Sequence, residues 1–207
     1  MSNKNIYTNQ TALHTDQKTI SGDYVKVDGE LTWTKWWENL RAGKCFITNG
    51  PLLRVKANDK YSGHVFKSGK NGTVELKFDI NLDSRDQVSE IQVINNGRII
   101  HSVPHSKWPE DGKIGPIKCT KSGWVVVRAL TEDTGTYRFA MTAPFFIEIG
   151  GNPKHISKAS VEFFLDWARQ AAKLNVEVDP GKSYTFDAYS KQTIKFWENL
   201  SAQTNAE

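Results

Sequence analysis

Cysteine is scarce in this chain: Cys45 and Cys119 are the two among 207 residues. So few thiols exclude a disulfide framework and read as reduced, mostly buried side chains. Pairing them would require two distant segments to be neighbours in space. No run approaches the roughly 18 apolar residues of a membrane span. Residues 1–22 are polar and lack the apolar core of a signal peptide, which leaves the compartment open. A dominant charge is missing as well. The 27 basic and 23 acidic residues interleave to a net +4, without the basic stripe of a nucleic-acid binder. The densest basic stretch, Lys107 to Lys121, is broken by Glu110, Asp111 and several glycines and prolines. Neither nucleic acid nor a membrane is expected as a partner.

Catalytic signatures are missing too. The five histidines, His14, His64, His101, His105 and His155, include no His-x-His pair. His101 and His105 have the spacing of helical metal ligands, but Pro104 and the strand-like residues before it oppose a helix there. There is no Gly-x-Ser-x-Gly elbow, and neither cysteine has an evident His and Asn nearby. Lys67 to Gly72 lacks the frame of a phosphate-binding loop and reads as a turn. Asp83, Asp86 and Glu90 lack the glycine and spacing of a calcium loop. No catalytic residue, metal or cofactor is therefore expected in this chain.

What is present is an ordinary globular composition, 38% hydrophobic and 24% charged. The length suits one good core, or one core plus a small appendage. The most informative segment runs from Trp33 to Leu53. Trp33, Trp36, Trp37 and Leu40 fall at i, i+3, i+4 and i+7, one face of a short helix that Thr32 can cap and Gly43 can end. Cys45-Phe46-Ile47 reads as a short strand, Asn49-Gly50 as a turn with positive φ values, and Pro51 as the point where any strand starts afresh.

A series of strands follows, with turn signals at fairly even spacing, the pattern of a sandwich or barrel. Val74, Leu76, Phe78, Ile80 and Leu82 alternate with Glu75, Lys77, Asp79 and Asn81, so one set faces a core and the other faces water. Ile91, Val93 and Asn95 continue the alternation, and Asn96-Gly97 turns the chain back through Arg98-Ile99-Ile100. Trp124 to Leu130 is more continuously apolar and reads as a central strand. Thr131 to Gly135 is a turn, and Tyr137 to Ile149 is extended with an interruption at Ala143-Pro144. Residues 103–122, with Pro104, Pro109, Gly112, Gly115 and Pro116, read as a long loop. Beyond Gly150 the period changes to 3.6. Ser157 or Ser160 can cap a helix with Val161, Phe164, Leu165, Ala168 and Ala172 on one face. Asp179 to Lys182 is a turn before a shorter helix from about Ser190 to Leu200, which places Ile194, Trp197 and Leu200 on one side.

The wording of several segments resembles the junction in CehA/McbA-like metallohydrolases of the PHP superfamily, where a catalytic barrel hands over to a C-terminal β-sandwich. The landmarks are Asp23 to Gly29, the Trp33–Leu53 segment, Glu90 to Gly97, Gly123 to Ala129, Thr142 to Ile147 and Phe163 to Trp167. The likeness covers roughly residues 23 to 172 and falls on the part of that family without the catalytic residues. Met141 departs from it, standing where a polar residue, often His, is expected. The resemblance implies a partner barrel, in the same or another chain, that hydrolyses an ester, amide or phosphoester bond with a cluster of metals. If the chain is a fragment, the parental reading frame should continue upstream of Met1 with about 250 or more residues, the usual barrel size, including a His-x-His.

The fold expected is mainly β: an immunoglobulin-like β-sandwich with one short N-terminal helix and two C-terminal helices. Residues 1–22 would be a polar tail or linker, 23–150 the helix and sandwich, and 151–207 a helical appendage packed on the sandwich. The function expected is that of a non-catalytic accessory domain beside a PHP-type hydrolase. Trp33, Trp36, Trp37, Leu40 and Trp197 are candidate residues of the domain interface, and a homodimer through an exposed Trp helix stays open. The alternative is a carbohydrate-binding sandwich. Trp108, with His105 beside it in the 103–122 loop, is the tryptophan free to act as a surface platform, because the other six sit at helical spacing or open a core strand.

Overall fold

The computed structural model describes residues 6–11, 22–69, 72–132, 135, 137–151, 156–178 and 183–205. The chain divides into two compact units, Met1–Pro153 and Lys154–Glu207. The first contains β1 (Ile6–Thr11), β2 (Gly22–Val27), α1 (Trp33–Arg41), β3 (Cys45–Thr48), β4 (Leu52–Ala57), β5 (Lys60–Tyr61) and β6 (Val65–Ser68). It continues with β7 (Val74–Asp83), β8 (Val88–Asn95), β9 (Arg98–Pro104), β10 (Lys113–Cys119), β11 (Gly123–Thr131), β12 (Phe139–Thr142) and β13 (Phe145–Ile149). The second contains α2 (Lys158–Val178) and α3 (Ser183–Ser201). Among the described residues the fold is mainly β, with two sheets in a sandwich-like arrangement in the first unit and three α-helices along the chain.

One sheet has four strands in the order β10-β7-β4-β5. The other runs β1-β2-β3-β12-β11-β13-β6, with β8 and β9 continuing from the opposite side of β11. Successive strands cross repeatedly between the sheets, from β3 to β4, β5 to β6, β6 to β7, β7 to β8, β9 to β10 and β10 to β11. The main core lies between them. It joins Leu53, Val55, Leu76, Phe78, Ile80 and Ile114 of the smaller sheet to Ile91, Val93, Val125, Val127, Phe145 and Ile147 of the larger. In β7, Val74, Leu76, Phe78 and Ile80 are buried and Leu82 half-buried, while Glu75, Lys77, Asp79 and Asn81 are exposed. The period-two pattern is thus realised in a single register.

Local chemistry sets the turns. Asn96 (φ 47°) and Gly97 (φ 82°) form the left-handed pair that joins β8 to β9 in register Asn95↔Arg98. At Ala143-Pro144 the last long strand breaks into β12 and β13, both on the same side of β11 with the register moved by one residue. The Thr142 hydroxyl oxygen accepts the Val127 N–H at 3.1 Å there, which satisfies a ladder donor at the break.

Three expectations are corrected. Residues 103–122 are not one loop: a single 3-10 turn at His105–Lys107 leads to β10, which pairs with β7. Its alternation, Ile114 and Cys119 buried, is interrupted by a register shift between Ile114 and Ile117 where Gly115 and Pro116 stand, and Pro116 is tolerated on this edge strand. Asn49 and Gly50 do not take positive φ. Their bend is held by side chains: Asn49 Oδ1 accepts the Phe139 N–H at 2.8 Å, Asn49 Nδ2 donates to Tyr137 O at 2.8 Å, and Gly50 N donates to Thr48 Oγ1 at 2.9 Å. Pro51 follows, and the chain changes sheets there. Within the stretch expected to be a polar tail, Ile6–Thr11 forms a strand paired with β2.

In the second unit, Ser157 Oγ accepts the Ser160 N–H at 3.2 Å and opens α2. α3 begins at Ser183, about two turns before the position expected from Ile194, Trp197 and Leu200. The helices are antiparallel neighbours, as Phe164 stacked on Trp197 at 5.0 Å and Arg169 paired with Glu198 at 2.9 Å require. The Asp179–Lys182 turn lies outside the described residues.

Candidate functional site

The helix of the Trp segment forms as its sequence dictates. Thr32 Oγ1 accepts the Lys35 N–H at 3.3 Å. At the other end Gly43 takes φ 70°, with Gly43 N donating to Leu40 O and Lys44 N to Asn39 O, both at 2.9 Å. The structure then divides the apolar face. Trp36 is 5% exposed and packs with Val25 and Val27 of β2, with Leu40 and Cys45 half-buried beside them, in a small second core. Trp33 and Trp37, 63% and 46% exposed, stack on each other with centroids 6.5 Å apart, and Leu31 is exposed as well. One tryptophan therefore anchors the helix, and two present aromatic surface.

This division predicts a selective response. Replacing both Trp33 and Trp37 by alanine should change unfolding free energy by less than about 1 kcal/mol, as for surface positions outside the core. Urea denaturation followed by far-UV circular dichroism measures it. A loss of 3 kcal/mol or more, the size of a core aromatic deletion, would mean these rings are structural.

A cleft of about 560 Å³ opens where the Asn49 bend, the β7–β8 connection and the start of β12 meet, and Tyr24, Asn49, Asp83, Arg85, Asp86 and Arg138 are among its walls. That volume lies within the range of small-molecule sites. Its charges are largely matched. Arg138 pairs with Asp86 at 2.8 Å, and Arg54 bridges Asn81 and Asp83. Glu90, the third carboxylate of that acidic stretch, accepts from Gln92 and Ser102. Among the described residues no group of three or more His, Cys, Asp or Glu is placed to hold a metal ion.

The other candidates separate in space. His101 lies exposed on β9 and His105 opens the 3-10 turn, so no helix brings them together. His64 is edge-on to Phe66 at 4.7 Å, and His14 and His155 lie outside the described residues. Trp108 is half-buried and packs against the main core, so only part of its ring is open to a ligand. Trp197 is half-buried in the helical unit. Burial raises the thiol pKa of Cys45, with the Asp23 carboxylate adding to it. Burial raises that of Cys119 against a hydrogen bond from Asn95. A raised pKa lowers the thiolate fraction, so both are weak nucleophiles at neutral pH.

One buried charge escapes sequence inspection. Lys26 is 2% exposed, on the face of β2 opposite Val25 and Val27, and its ammonium is matched by Asp28 and lies 5.8 Å from the centroid of the Tyr61 ring. Alternation in Tyr24 to Asp28 places Lys26 on one face, but only the fold shows that this face is covered, by a segment around Tyr61. Among the described residues no helix is long and apolar enough to cross a membrane. No protein-family model, no curated protein and no solved structure matches this chain.

Proposed function

We propose that the first unit is a non-catalytic accessory domain that docks a PHP-type metal-dependent hydrolase barrel, carried by the same or another chain, through the exposed face of α1. The carrying observation is the pair Trp33 and Trp37, held outward on a helix whose position is fixed by buried Trp36. A stacked, solvent-facing tryptophan pair with Leu31 beside it has the composition of an interface hot spot, where aromatic anchors dominate affinity. The identity of the occupant rests on the resemblance to the barrel–sandwich junction of CehA/McbA-like proteins. The role is structural: to close one side of the barrel and help shape its entrance.

The test mixes the purified chain with a metal-loaded PHP-type barrel encoded in the same genome and measures binding by calorimetry. Binding in the micromolar range or tighter, weakened at least tenfold by Trp33→Ala/Trp37→Ala, is the expected result. Absence of binding at 100 µM, or binding indifferent to that double substitution, overturns the proposal. So does stoichiometric zinc, iron or manganese retained by this chain alone after dialysis.

A further inference from the structure

We infer that the helical unit is a self-association module: the α2–α3 hairpins of two copies of this chain pack face to face as a four-helix bundle. Each helix carries two apolar stripes. In α2 the stripe with buried Val161 and half-buried Leu165, Ala168 and Ala172 faces α3. A second stripe, Phe163, Trp167 and Leu174, falls within about 40° on the helical wheel. In α3, Ile194 and Trp197 serve the hairpin, while Tyr189 and Phe196, seven residues apart, form the second stripe. All five second-stripe side chains are between 57% and 68% exposed.

The two second stripes lie on one side of the hairpin. Counting along each helix, each stripe is offset from its inner face by about 120–150° in the same rotational sense. Reversing one helix, as the antiparallel pairing does, brings both offsets to the same side. Glu162, Asp166 and Lys173 of α2 and Lys195 of α3 fall on the other side. The hairpin is therefore one aromatic layer backed by a charged one, and a helix layer with an apolar side is stable when covered by another.

Area and charge select the occupant. Four aromatics and a leucine at this exposure, with Phe164 at the margin, offer on the order of 600 Å² per copy, close to one side of a standard interface. Lys154–Glu207 holds seven Lys or Arg and seven Asp or Glu. This neutrality gives two copies no mutual repulsion, and it lacks the cationic excess that draws amphipathic helices to anionic lipid. An isologous pair of hairpins about a two-fold axis satisfies both conditions.

Sedimentation equilibrium of the full chain between 1 and 100 µM tests the inference. The expected mass at the upper end is twice 23.4 kDa. Phe163→Glu/Trp167→Glu should raise the dissociation constant at least a hundredfold with the far-UV dichroism unchanged, while Lys195→Glu, on the charged side, should leave it within threefold. If the double variant loses helix, Phe196→Glu on the partner helix supplies the same comparison. A monomer at 100 µM overturns the inference. So does a dimer that survives these substitutions with its helices intact, or one that dissociates through Trp33→Glu/Trp37→Glu instead. Sedimentation of the chain with phosphatidylcholine–phosphatidylserine vesicles, sensitive to Trp167→Glu and without dimer in solution, would replace a second copy with a lipid surface.

Discussion

Phe78→Ala is expected to destabilise the sandwich by about 3–5 kcal/mol, the cost of deleting a core aromatic. Phe78 is 1% exposed at the middle of β7, and its ring meets Phe145 of the opposite sheet edge-on with centroids 5.8 Å apart. Truncation removes buried apolar area from one sheet and leaves a cavity against the other. Collapse is hindered because β7 is paired on both sides, with β4 and β10. Urea unfolding at constant m-value should report the whole loss as a lower midpoint. A decrease under about 1 kcal/mol would place Phe78 outside a packed core, and the register of β7 with it.

The same strand marks what was legible in advance. β7 declares itself because every second residue over ten positions is apolar, so one register alone buries them. The Asn96-Gly97 hairpin and the capped α1 are equally readable, since their signals are local. β10 was hidden because Gly115 and Pro116 interrupt the alternation at the bulge that seats the strand on its edge. β1 was hidden because its pairing with β2 is made by main-chain groups, which any polar sequence supplies. The division of the Trp helix into an anchor and an exposed pair was legible only in part: the excess of apolar surface was countable, but which indole goes inward depends on where Val25 and Val27 lie. The cleft lies furthest from the sequence, because it joins residues around 24, 49, 85 and 138.

A second large effect is expected at Gly63. It takes φ +84°, and a Cβ placed on it would sit 1.7 Å from the carbonyl oxygen of Ala42 and 3.0 Å from Gly43 Cα. Gly43 is equally confined, since its own Cβ would lie 2.8 Å from Gly63 Cα. The end of α1 and the turn between β5 and β6 thus touch backbone to backbone, with Gly63 N donating to Pro144 O at 2.7 Å and the Ser62 hydroxyl to Gly43 O at 2.6 Å. Gly63→Ala combines a left-handed penalty of about 1 kcal/mol with an overpacking term of about 1–3 kcal/mol, so a loss of about 2–4 kcal/mol is expected. Gly29→Ala is the control: its φ is +77° but nothing lies within 4 Å of the added methyl, so only the conformational part, about 1 kcal/mol, should appear. Equal losses at the two sites would mean that the two turns part freely. Chemical denaturation of both variants decides it.

The pairing of β3 with β12 has a consequence for how the chain is made. Thr48 and Phe139, in contact through the Thr48 hydroxyl, are 91 residues apart in sequence. At about 5–20 residues per second of synthesis, β3 emerges roughly 5–18 s before the strand that completes it. During that interval the nascent chain carries an open strand edge beside a tryptophan-rich helix, a segment suited to transient shielding at the ribosome exit. A strand made late in the first unit, β12, therefore closes one made early, β3.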